Sequence, residues 1–193
     1  EAALLYLSEF SDPANYQAFA NAVGFIPTQP GAMLNTKIGA EVAAFLANFR
    51  VGDLGGTGTV NLSGASARLD VVGQDAEVLV GRRNGSSGTM NVTGGATVEI
   101  ATTTSDDATL RIASDGTNTG IVNVQSGGSI LVGATANQGR IFVGDDDAAA
   151  GEAGTGTLNI SGAGSRVEAT TEVLVGKRSG AGSSTGVLSV SSG

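Results

Sequence analysis

Gly156-Thr157-Leu158-Asn159-Ile160-Ser161-Gly162-Ala163-Gly164 reads as a short alternating strand running into a turn of small residues. The same phrase stands at Gly58-Thr59-Val60-Asn61-Leu62, Gly88-Thr89-Met90-Asn91-Val92, Gly120-Ile121-Val122-Asn123-Val124 and Gly186-Val187-Leu188-Ser189-Val190, at steps of 30, 32, 36 and 30 residues. A second alternating pair follows each turn: Leu69 and Val71, Val98 and Ile100, Ile130 and Val132, Val167 and Ala169. A third set ends mostly in Val-Gly, at Phe49-Arg50-Val51-Gly52, Val78-Leu79-Val80-Gly81, Leu110-Arg111-Ile112-Ala113, Ile141-Phe142-Val143-Gly144 and Val173-Leu174-Val175-Gly176. One repeat is therefore three short strands separated by Gly-rich corners.

Side chains alternate across a strand, so every second aliphatic residue faces one side. The repeat places those residues at the same point in each unit. Stacking the units buries all of them, whereas one unit has too little core to stand alone. This predicts an all-β fold: a right-handed parallel β-helix, or β-solenoid, of about five coils rising about 4.8 Å per coil. Three strands per unit and Val-Gly corners suit coils better than a propeller or a sandwich. The longer stretches after Val143 and Val175 are expected to bulge from one corner.

Composition narrows the chemistry. The chain has 193 residues, no His and no Cys, so it holds no imidazole base, no Ser-His-Asp triad, no thiolate nucleophile and no His or Cys zinc ligands. A net charge of -8 argues against nucleic acid or an anionic membrane as partner. No apolar run is long enough to span a bilayer.

All three prolines, both tyrosines and five of the six phenylalanines precede residue 51, while 28 of the 31 glycines follow it. The sequence divides accordingly into residues 1–48, a helical segment that caps the first coil, and residues 49–193, the repeats. Ala2 to Phe10 is rich in Ala and Leu, and Ser11-Asp12-Pro13 starts a second helix that Gly24 ends. Asn35 or Thr36 caps a third, with Ile38, Val42, Ala43, Phe45 and Leu46 on its apolar face.

The phrases Gly154-Thr155-Gly156-Thr157-Leu158-Asn159-Ile160-Ser161-Gly162-Ala163-Gly164-Ser165 and Val173-Leu174-Val175-Gly176 resemble the strand-turn-strand repeat of type V autotransporter passenger regions and PEP-CTERM-associated surface proteins. The resemblance covers roughly residues 49–193. It implies a β-helical, secreted or cell-surface protein, often adhesive. Ala3-Leu4-Leu5-Tyr6-Leu7-Ser8-Glu9-Phe10-Ser11-Asp12-Pro13 and Gly24-Phe25-Ile26-Pro27-Thr28-Gln29-Pro30-Gly31 are similar to the C-terminal portion of extracellular sugar-binding proteins of ABC transporters. Three helices cannot form a two-lobed sugar cleft, so the transport function does not carry over.

The candidate sites have bland competitors. Asp145-Asp146-Asp147 with Glu152 could offer carboxylates to Ca²⁺ but lacks the spacing of known calcium loops, and reads as a solvated loop. Asp106-Asp107 and Asp115 read the same way. The outward column Asp70, Glu99, Leu131, Glu168, beside Arg68, Thr97, Ser129, Arg166, holds paired carboxylates of the kind that hydrolyse glycosides, but charge repeated at equivalent positions suits solubility, with Arg68 pairing to Asp70 or Glu99 across coils. Asn61, Asn91, Asn123 and Asn159 are expected to stack as an amide ladder. On the third strand, Arg50, Leu79, Arg111, Phe142 and Leu174 take an outward position; Leu79, Phe142 and Leu174 there suggest a face that contacts a partner, or one covered by a corner loop. Thr-rich stretches such as Ala101-Thr102-Thr103-Thr104 raise ice binding, but no flat face of repeated Thr-x-Thr is expected.

The functional expectation is a non-catalytic extracellular structural β-solenoid: a stalk, an adhesive surface or a self-assembling subunit of a cell-surface appendage. No cofactor and no metal are expected. A homo-oligomer or head-to-tail assembly is the expected partner state, with a surface glycan or a host or cell surface as a further partner. A glycan-binding module and a polysaccharide-active enzyme are the alternatives.

Overall fold

The computed structural model describes residues 42–44, 48–83, 85–103, 106–133, 138–146, 153–178 and 183–192. Of the helical segment expected over residues 1–48, residues 1–41 and 45–47 lie outside them. Ala43–Gly193 gathers into one compact unit, and its described residues hold strands and turns with no helix.

Among the described residues, fifteen strands follow one another in a cycle of three. The first of each cycle are β1 (Val42–Ala44), β4 (Arg68–Gly73), β7 (Thr97–Thr102), β10 (Ser129–Val132) and β13 (Arg166–Ala169), which form sheet A in that order. The second are β2 (Asn48–Asp53), β5 (Glu77–Arg82), β8 (Ala108–Ser114), β11 (Gly139–Asp146) and β14 (Glu172–Arg178), which form sheet B. The third are β3 (Thr57–Ser63), β6 (Ser87–Thr93), β9 (Thr119–Gln125), β12 (Thr155–Ser161) and β15 (Thr185–Ser191), which form sheet C. From β2 to β14 the chain returns to sheet B four times, so the solenoid makes about four turns.

Register is parallel throughout these ladders and matches the repeat residue for residue. Val60 pairs Met90, Met90 pairs Val122, Val122 pairs Leu158 and Leu158 pairs Leu188. Leu69, Val98, Ile130 and Val167 form the corresponding column in sheet A, and Phe49, Val78, Leu110, Ile141 and Val173 in sheet B. Met90, Ile100, Ile112, Val122 and Ile141 are fully buried. A one-residue slip in any strand would turn its aliphatic set to solvent, which is why the register is fixed so closely.

The recurring glycines are set by close backbone approach where sheet B turns into sheet C. A β-carbon on Gly120 would run into the Val80 carbonyl and the Ala113 nitrogen. The partner position across this corner needs a positive φ, and Gly81 takes it at 71°. Ala113 replaces that glycine in the third cycle and is held at φ 60°, a left-handed conformation that an L-residue adopts at a cost of about 1 to 2 kcal/mol. The two longer insertions lie between β11 and β12 and between β14 and β15, both at this corner, as expected.

One expectation is corrected. The third helix was to include Val42 and Ala43, but Val42–Ala44 is strand β1 on the edge of β4. The edge of β4 presents a row of backbone donors and acceptors, and pairing with it outweighs the helix preference of an Ala-rich segment.

Candidate functional site

The outward column of sheet B runs Arg50, Leu79, Arg111, Phe142, Leu174 in direct register. The sequence left this face either to a partner or to cover from a corner loop. Leu79 is 1% and Phe142 3% exposed, and Leu174 is half-buried. Among the described residues, two side chains lie over the Phe142 ring. Arg111 of β8 and Lys177 of β14, on the rungs either side, each lie 4.7 Å from the centroid of that ring, so two cations share one aromatic. Their long stems shield apolar surface while their charged heads find carboxylates.

Those carboxylates are Glu77 and Asp145. Arg111 Nε meets Glu77 Oε1 at 3.0 Å and its Nη1 meets Asp145 Oδ2. Lys177 Nζ approaches Asp145 Oδ1 at 3.6 Å. Asp145 is fully buried, and the two cations that face it offset the cost of burying its charge. Asp145 is thus a structural anion in strand β11 and not a free ligand of a solvated loop. The side chain of Asp146, and residues Asp147 and Glu152, lie outside the described part, and among the described residues no cluster of three acidic side chains could hold a metal. Glu77 and Lys177 were not singled out from sequence. A signal for Lys177 existed, since Asp145 and Lys177 each directly follow a Val-Gly pair and must therefore stack.

Sheet A presents the column that could have been catalytic. Arg68 Nε donates to Asp70 at 2.7 Å and Nη2 to Glu99 on the next rung. Arg166 meets Glu168 at 3.2 Å. Each carboxylate of the column is held by an arginine. The hydrogen bond that Arg68 donates to Asp70 raises the Arg68 pKa above its usual value, with partial burial opposing and the Asp70 and Glu99 charges adding to the rise. Asp115 does the same for Arg82, which it meets at 2.7 Å. Asp107 pairs with Arg140 at 2.9 Å.

Sheet C carries the amide ladder. Asn91 Nδ2 donates to Asn61 Oδ1 at 2.7 Å, Asn123 to Asn91 at 2.8 Å and Asn159 to Asn123 at 2.9 Å. The ladder sits in a wider face that sequence reasoning missed. The outward positions of β3 are Thr57, Thr59, Asn61 and Ser63; those of β12 are Thr155, Thr157, Asn159 and Ser161. Thr-x-Thr therefore does recur on one sheet face, with Ser87 and Thr89 of β6 between. Ile121 and Val187 interrupt the threonine column. None of the five strands of this sheet carries a charged residue.

The last rung is open. Val173 and Val175 are each 44% exposed, Leu188 43% and Val190 71%, although their register partners Ile141, Val143 and Leu158 are buried. The architecture and surfaces define a parallel β-solenoid repeat protein. No protein-family model, curated protein or solved structure matches the chain. No helix among the described residues is long and apolar enough to cross a membrane.

Proposed function

We propose that the protein is a non-catalytic, extracellular structural β-solenoid that extends by rung-on-rung stacking as a stalk or self-assembling subunit of a surface appendage. The observation that carries this reading is the last rung, where the aliphatic columns of sheets B and C continue into solvent at Val173, Val175, Leu188 and Val190. A further rung can add there, from more of the same chain or from a second copy, because parallel rungs present different edges at their two ends and such contacts propagate. The same reading takes the coil as right-handed and about five coils long, with the residues before β1 as a helical cap.

Negative-stain imaging and sedimentation test it, with Leu188→Asp as the control. Rods or fibres from the native chain, shortened in the variant, are expected; compact monomers at all concentrations would overturn it.

A second reading, a glycan-binding module, draws on the charge-free hydroxyl and amide face of sheet C in a protein of net charge -8. Such a face suits an uncharged, hydroxyl-rich polymer. Retention on insoluble neutral polysaccharides, lost when Thr157 and Asn159 are both replaced by Glu, is the expected result if it holds. A polysaccharide-active enzyme would also release product from the same panel.

A further inference from the structure

The corner between sheets B and C contains a column of residues that directly precede the sheet C strands: Gly56, Ser86, Asn118, Gly154 and Ser184. Each of the first four accepts a backbone hydrogen bond from the rung above, from Ser87, Thr119, Thr155 and Thr185 in turn. Two members of the column use a hydroxyl to satisfy corner carbonyls: Ser86 Oγ donates to Arg82 O at 2.6 Å and Arg83 O at 2.9 Å, and Ser184 Oγ donates to Lys177 O at 2.6 Å. Gly154 has no side chain to do so.

The space beside Gly154 is bordered by oxygens. The point where a β-carbon would stand on it lies 3.2 Å from Ala113 O, 3.2 Å from Asn118 Oδ1 and 3.4 Å from Gly116 O. Asn118 is 6% exposed, Ala113 fully buried, and Gly116 and Gly154 are buried. The orientation of the Asn118 amide is fixed by Nδ2, which donates to Ser114 O at 2.5 Å. Oδ1 therefore points away from that carbonyl, and no hydrogen-bond donor reaches it among the described residues. Burying an acceptor without a partner is costly, so something is expected to meet it.

We propose that this corner is a binding site for one monovalent metal cation, Na⁺ or K⁺, held by Asn118 Oδ1 and the carbonyls of Ala113 and Gly116. All three groups are acceptors, and a water molecule has two protons to share among them, whereas a cation serves every one. The donor set is neutral, which disfavours a divalent ion that calls for carboxylate charge. Asp115, between the two carbonyl donors in sequence, is already committed to Arg82. Bound there, the ion ties the end of β8 to the residue that directly precedes β9, beside Gly154 of the next rung.

Thermal unfolding of the full chain at constant ionic strength, with NaCl, KCl, CaCl₂ or tetramethylammonium chloride, tests the site. Na⁺ or K⁺ is expected to raise Tm by about 5 °C at a hundredfold excess over its Kd, relative to tetramethylammonium. Gly154→Ala, which places a methyl group among the oxygens, and Asn118→Ser, which copies the Ser86 rung, are each expected to abolish the difference. Equal Tm in all four salts, stabilisation by Ca²⁺ alone, or an alkali-ion gain that survives both substitutions would each overturn the proposal. The wild-type comparison decides the matter even if a variant fails to fold.

Discussion

The Arg111 guanidinium stands 4.7 Å from the centre of the Phe142 ring, on the rung directly below it in sequence order. The same side chain reaches Glu77 on one side and the buried Asp145 on the other, so one arginine links three successive rungs outside the aliphatic core. Arg111→Ala removes one of the two cations over Phe142 and one of the cations that face the buried Asp145. A loss of about 3 kcal/mol in urea unfolding is expected. Phe142→Ala should cost a similar amount, and the double variant less than the sum, because both changes dismantle one contact.

The amide ladder predicts a position effect. Asn91 and Asn123 each donate one amide bond and accept one, whereas Asn61 only accepts and Asn159 only donates within the ladder. Alanine at Asn91 or Asn123 should cost about 1 to 2 kcal/mol, and at Asn61 about half as much. Equal losses at all four positions in equilibrium unfolding would mean that the ladder contributes nothing as a network.

Two substitutions at the B to C corner should move stability in opposite directions. Gly120→Ala forces a methyl group against the Val80 carbonyl and is expected to cost more than about 4 kcal/mol, or to prevent folding altogether. Ala113→Gly relieves a residue held at φ 60°. The relief exceeds the entropy that glycine adds to the unfolded chain, for a net gain of about 0.5 kcal/mol by the shift in urea midpoint.

Leu158 and Leu188 occupy one column but are 1% and 43% exposed. Leu158→Ala should cost about 2 to 5 kcal/mol through the cavity it leaves. Leu188→Ala should cost about 1 kcal/mol in the isolated chain, since much of its surface is already in water. If the last rung receives another copy, the same substitution weakens assembly in sedimentation far more than it lowers the unfolding midpoint.

Much of this surface could be read before any coordinates. Arg68 pairing with Asp70 and Glu99, and Asn61, Asn91, Asn123 and Asn159 stacking as amides, both follow once equivalent positions are laid over one another, because a parallel ladder puts like on like. The exposure of Leu79 and Phe142 did not follow. Alternation says which face a residue points to, but not whether a neighbouring arginine or lysine lies down over it. The hydroxyl face of sheet C was hidden for a related reason. Thr57 and Thr59 are separated from Thr155 and Thr157 by rungs in which serine and isoleucine take some of the places, and a Thr-x-Thr pattern sought along the chain does not appear until sheet C is viewed across its strands.

The sequence alone pointed to the solenoid, its three-strand cycle and its register, because period-two alternation in a repeating unit is buried most simply when Val60, Met90, Val122, Leu158 and Leu188 stack in one column. Tertiary structure alone decided where charge is buried, which carbonyls surround Gly154, and that Val42–Ala44 joins a sheet. Those outcomes depend on the reach of long side chains and on distances between rungs at the corners, and neither is written in a one-dimensional pattern.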